Sequence, residues 1–117
     1  MAVTAQGSGT KTVSSVGTAE TLLDVAVAGT FTLHVDTVNM AAGDMLELRI
    51  YQMVLTSGTR RVVYYAAYTD AQVADDLIKI SVPISNELTD SGALRFELNQ
   101  KLGGAARAFP WKVLKYA

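Results

Sequence analysis

The sequence predicts an all-β fold, an antiparallel β-sandwich of seven or eight strands, jelly-roll-like or immunoglobulin-like. Short runs that alternate apolar and polar residues recur along the chain, and breaks containing Gly or Pro separate them. No stretch carries the apolar period of a long helix. With 117 residues, half of them hydrophobic and 18 % charged, one domain can bury about two thirds of its unfolded surface.

Residues 1–19 are built from Ala, Ser, Thr, Gly and Val with a single lysine, Lys11. They show no helical period, and their β-branched members favour extended backbone. This segment is expected to be an extended N-terminal arm that is ordered from Met1 by lying against a neighbouring subunit. Val3, Gln6, Lys11, Val13 and Val16 are its expected contacts. Residues 20–117 form the β-sandwich domain. Within it, Thr21 to Ala28 is an apolar run of strand length closed by Gly29. Over Thr30 to Val38, Phe31, Leu33, Val35 and Thr37 share one face, and Thr32, His34 and Asp36 share the other.

Asp44 to Thr56 and Thr59 to Thr69 flank Ser57-Gly58, which reads as a tight hairpin turn. That turn sets Tyr51 opposite Tyr64 and Leu55 opposite Arg60. One face then holds Leu46, Leu48, Ile50, Val54, Val63, Tyr65 and Ala67, a core face. The other holds Glu47, Arg49, Tyr51, Met53, Val62, Tyr64, Ala66 and Tyr68. Beyond a polar break at Asp70 to Asp76, Leu77 to Val82 resumes as a strand and stops at Pro83, which cannot donate to a ladder. Ser85 to Gly92 reads as loop. Ala93 to Gln100 alternates again, and Gly103-Gly104 turns the chain into a last strand, Arg107 to Tyr116.

The stretch "QGSGTKTVSS", Gln6 to Ser15, has the look of a phosphate-binding loop, but Thr10 stands where that loop needs glycine before its lysine. No nucleotide site follows, and no cofactor is expected. His34 and Asp36 share a strand face, a spacing that could serve acid–base chemistry, yet no nucleophile accompanies them. Asp70, Asp75 and Asp76 lack EF-hand spacing and read as a solvated acidic loop. Without cysteine, disulfides, thiolate metal sites and cysteine nucleophiles are excluded. A net charge of −1 with scattered basic residues argues against nucleic-acid binding. The N-terminus has no basic region followed by an apolar core, and no run reaches the length of a membrane-spanning helix. The chain is therefore expected to be made in the cytoplasm, to be no enzyme, and to bind neither nucleic acid nor membrane.

One surface has the composition of an interface. Tyr51, Met53, Val62, Tyr64 and Tyr68, edged by Arg49 and Arg60, combine the residue types enriched where proteins meet. The alternatives at this point are that the face is core, with the assignment inverted, or that the N-terminal segment folds over it. Tyrosines so placed could also stack on a sugar.

At "GTFTLHVDTVNMAAGDMLELRIYQMVL" and "FPWKVLKYA" the chain resembles small structural proteins of tailed-bacteriophage virions, in particular the β-sandwich proteins that decorate or cement capsids. The resemblance covers roughly residues 20–117 and lies in overall texture, so no residue roles transfer with it. It implies a non-catalytic virion protein on the capsid surface. Its partners would be the major capsid protein and copies of itself, most naturally as a trimer. A tail or head-fibre subunit that binds a glycan or receptor is the alternative it leaves open.

Overall fold

The computed structural model describes residues 2–116, so the expectation of order at Met1 falls outside the described residues. The strands are β1 (Val3–Thr12), β2 (Ala19–Val25), β3 (Gly29–Asp36), β4 (Met45–Gln52), β5 (Arg61–Thr69), β6 (Ile78–Ile80), β7 (Ile84–Asn86), β8 (Leu94–Leu102) and β9 (Ala108–Tyr116). One 3₁₀ turn, Ala74–Asp76, occupies the acidic break. The first sheet runs β1-β9-β3-β6, with β7 also on β3, and the second runs β2-β8-β4-β5. Every pairing is antiparallel.

β6 and β7 are two halves of one edge strand. Pro83 interrupts it, and Ser81 bridges the gap: its N–H donates to the Leu33 carbonyl at 2.9 Å, while its Oγ accepts from the Leu33 N–H at 2.9 Å. Treated as one strand, they complete an eight-stranded order in which β1 pairs β9, β2 pairs β8, β3 pairs β6/β7 and β4 pairs β5. This is a long ribbon rolled on itself so that β9 meets β3 and β8 meets β4. The fold is thus a jelly roll. Ser85 and Asn86 of β7 fall in the stretch read as loop, because three residues beside a proline give no usable period.

Alternation builds the core. Phe31, Leu33 and Val35 of β3, with Phe109 and Val113 of β9, face Leu46, Leu48 and Ile50 of β4 and Leu94, Phe96 and Leu98 of β8. At roughly 1.5–3 kcal/mol for each large apolar side chain fully buried, this layer is the main stabilising term.

The glycines of the N-terminal segment have a packing role. Gly9 pairs with Trp111 and Gly7 with Val113. A Cβ on Gly9 would lie 3.6 Å from Trp111 Nε1, and one on Gly7 would lie 3.0 Å from Leu23 Cδ2. A side chain at Gly7 would press on Leu23, whereas a Cβ at Gly9 would lie at ordinary van der Waals distance over the indole. Lys11 then reaches across to Glu20 of β2 at 3.6 Å, closing that flank of the sandwich. The opposite flank is closed by Lys79 of β6, whose ammonium sits 4.8 Å from the Tyr68 ring centroid and 2.9 Å from Asp76 Oδ2.

One end of the sandwich holds a buried polar hub. Gln100 donates from Nε2 to the Ala105 carbonyl and accepts at Oε1 from the Arg107 N–H, both at 2.7 Å. Asp44 Oδ2 accepts from the Ala41 N–H and from Arg107 Nε, both at 2.9 Å. Gly103, at φ +153, passes between them.

Candidate functional site

The β4–β5 hairpin differs from its expected form. Its strands end at Gln52 and restart at Arg61, with an eight-residue loop between. The turn sits at Leu55–Gly58, closed by the Gly58 N–H on the Leu55 carbonyl at 2.9 Å, with Ser57 at φ +59. Asp90 from a neighbouring loop holds the tip, accepting from Thr56 Oγ1 and the Ser57 N–H. Those two bonds also hold the Asp90 carboxyl below its ordinary range, the Ser57 amide contributing most. Ile50 now faces Tyr64, Leu48 faces Ala66 and Leu46 faces Tyr68. A one-residue slip from the expected register carries every β5 side chain to the other face.

The expected interface residues are therefore divided. Tyr64 and Tyr68 pack against the core, whereas Tyr51 and Arg49 stand on the outer face of the second sheet. Val62 and Val63 oppose Tyr51 across a bulge, and Val62, Val63 and Tyr65 are exposed. Met53 lies in the loop, where its N–H donates to the Ala93 carbonyl. Arg60 lies 3.8 Å from Asp24 and 3.4 Å from the Gly92 carbonyl.

Paired charges fill the rest of that outer face. Glu47, almost fully buried, accepts from the Tyr65 hydroxyl at 2.6 Å and from Arg49 at 3.1 Å. The Tyr65 bond first, then Arg49 and Lys101, hold its carboxyl below the ordinary value against the opposing effect of burial. Arg49 also sits 4.9 Å from the Tyr65 ring centroid. Arg95 clamps Asp24 with two bonds, and Tyr51 donates to Glu97.

The N-terminal contact residues are divided too. Lys11 pairs with Glu20, and Val13 is 2 % exposed within the core. Gln6 is the extra residue of a bulge between Ala5 and Gly7, Val16 is half-buried in the turn before β2, and Val3 is exposed.

The outer face of the first sheet has a different character. Register sets Ser8, Lys112, His34 and Ile80 in one row across four strands, with Thr10 beside Pro110 and Asp36 beside Ile78 in the next. All of these except Ile80 line a shallow groove of about 500 Å³. Its histidine is fixed from behind: Thr32 Oγ1 lies 2.9 Å from His34 Nε2 and 3.1 Å from the Tyr116 hydroxyl. Beside the groove, β6 inverts the usual pattern. Ile78 and Ile80 are 54 % and 56 % exposed, while Lys79 between them is 6 % exposed. The inversion was hidden in the sequence, since I-K-I reads as an ordinary strand with its isoleucines inward.

Burial, then the nearby Lys112 ammonium, lowers the His34 pKa below its ordinary value. The neutral ring is favoured in the folded state, so its contribution to stability is present above about pH 6.5 and is lost as pH falls through the folded pKa. An NMR titration is expected to give a His34 pKa below that of a model peptide, moving upward in Lys112→Ala. An unshifted midpoint in the parent protein would contradict this geometry. Asp36 does not hydrogen-bond the ring; its Oδ1 accepts from the Val38 N–H.

No protein-family model and no curated protein matches the chain. A chain in the structure of infectious bursal disease virus, Gx strain, is similar in fold, with TM-score 0.41 and 15 % identity. The match covers 97 % of this chain and 30 % of that one, so this chain spans under a third of its length.

Proposed function

We propose that this chain is a non-catalytic structural subunit of a virion, a decoration protein that docks on the lattice of a major capsid protein and stabilises the shell. One observation carries the reading: the edge strand β6 presents Ile78 and Ile80 to solvent and turns its lysine inward. Isoleucines exposed on an outer sheet face are apolar surface that a docking partner can cover. Val73 and Val82, on either side of β6 in sequence, and Val38, which lines a groove with Ile78, are further exposed apolar residues. Like the resemblance over residues 20–117, the jelly-roll order fits this use, since such sandwiches serve in viral capsids as well as lectins.

Replacing both Ile78 and Ile80 with Asp tests it. Both side chains are exposed, so folding stability should change by no more than about 1 kcal/mol. Binding to undecorated shells, followed by co-sedimentation, should fall at least tenfold. Undiminished binding would remove this face from the docking surface.

A second reading, a glycan-binding module on a tail or head fibre, is favoured by the groove. Asp36 and Lys112, with the hydroxyls of Ser8 and Thr10, offer acceptors and donors beside the apolar Pro110 and Ile78, and the volume lies in the usual range for small ligands. It requires glycan-array binding that Lys112→Ala removes while Ile78→Asp/Ile80→Asp particles still assemble. An array without hits eliminates it.

A further inference from the structure

The sandwich has four sheet edges, and three are blunted. β1 carries the Gln6 bulge and two glycines. β2 is bulged at Leu22 and carries Glu20 and Asp24. The β6/β7 edge consists of two three-residue pieces separated by Ser81–Pro83, with Lys79 turned inward. These are the devices by which proteins prevent strands from pairing with other chains. β5 lacks them. It ends the second sheet with nine residues, RVVYYAAYT, containing no Pro, Gly or Lys and strongly enriched in strand formers. Its one irregularity is at Val62–Val63, leaving Tyr64 to Thr69 regular.

We propose that the β5 edge pairs with the β5 edge of a second copy of this chain, antiparallel and two-fold, joining two four-stranded sheets into one of eight. The sequence along β5 is complementary to itself in that orientation. With Tyr65 on the axis, Tyr64 opposes Ala66 on each side, so a larger side chain meets a small one, and the bulged Val63 lies next along the edge. At the axis the two tyrosines form an aromatic cross-strand pair, a favourable kind. Charge agrees with shape. Arg60 precedes the strand, Arg61 opens it and Asp70 follows it, so an antiparallel two-fold brings the basic end of each strand towards the acidic end of the other. Arg61 forms no ion pair among the described residues, and Arg60 is held only loosely by Asp24 at 3.8 Å.

A two-fold contact is isologous and closes as a dimer. The three-fold assembly implied by the resemblance would have to use other surfaces. This pairing stands apart from shell docking, which uses β6 and the first sheet.

The chain has no cysteine, so a single introduced one reports the axis directly. Tyr65→Cys should form a disulfide-linked dimer under mild oxidation, because a two-fold antiparallel pair holds its axial Cα atoms about 4.5–5.5 Å apart. Val73→Cys, exposed but off the strand, should not. Sedimentation equilibrium on the full chain should show a concentration-dependent dimer that Val63→Lys weakens at least tenfold. Unchanged circular dichroism and Tm in that variant would show that the fold survives. A monomer at every concentration overturns the pairing. So does a dimer that Val63→Lys leaves intact and Tyr65→Cys fails to link.

Discussion

Removal of residues 2–12 is expected to unfold the protein rather than merely detach it from a partner. β1 pairs at nine positions with β9, and its glycines cover Trp111. Without it, β9 becomes a new edge, the indole is laid open, and Lys11 no longer closes the flank against Glu20. At about 1 kcal/mol net for each lost ladder bond, plus the apolar area uncovered, the loss approaches the roughly 5–15 kcal/mol that holds a small domain folded. Circular dichroism and one-dimensional NMR should show loss of the native state. A truncated chain with unchanged Tm would mean that the segment is a free arm whose place is on a neighbour.

The second large effect is expected at the buried hub. Arg107→Ala removes the cation from Asp44, whose side chain is fully buried and whose Oδ1 already lacks a partner. Breaking a buried pair on one side leaves a charge uncompensated, which costs about 3 kcal/mol and lowers Tm by roughly 10 °C. Gly103→Ala attacks the same hub sterically. Its Cβ would stand 2.5 Å from Gln100 Nε2 and 2.6 Å from Asp44 Oδ1, at a φ that side chains rarely adopt. Thermal unfolding of Arg107→Ala, Asp44→Ala and the double variant should give a coupling of 1 kcal/mol or more. Additive losses would show that the two side chains do not act as a unit.

Much of the fold was legible because alternation reports burial directly. Phe31, Leu33 and Val35, and likewise Leu94, Phe96 and Leu98, announce a core face in the sequence and occupy it in the structure. Pro83 and the Gly103-Gly104 turn also mark true breaks. The β4–β5 register was not legible. Ser57-Gly58 resembles a two-residue hairpin turn, but Asp90, more than thirty residues away, sets the loop's shape. A single bulged residue at Val63 then adjusts the pairing. Such long-range bonds leave no local trace, and one residue of slip is enough to exchange Tyr64 and Tyr68 with Val63 and Tyr65. For the same reason the outward isoleucines of β6 were hidden. Lys79 is turned inward by a tyrosine and an aspartate that only the folded chain brings to it.

The N-terminal stretch shows both outcomes at once. Its extended conformation followed from Ser, Thr, Val and Gly, whereas its partner did not, because β1 meets β9 from the other end of the chain. Pairing at that separation is a property of the rolled ribbon and has no signature within residues 1–19.

The most direct measurement of the central claim is the protein composition of purified particles of the virus to which the proposal assigns this chain. Quantitative mass spectrometry should find it in a fixed ratio to the major shell subunit, and Ile78→Asp/Ile80→Asp particles should lose it while keeping their shell. Its absence from intact particles, or only traces without fixed stoichiometry, would contradict the account.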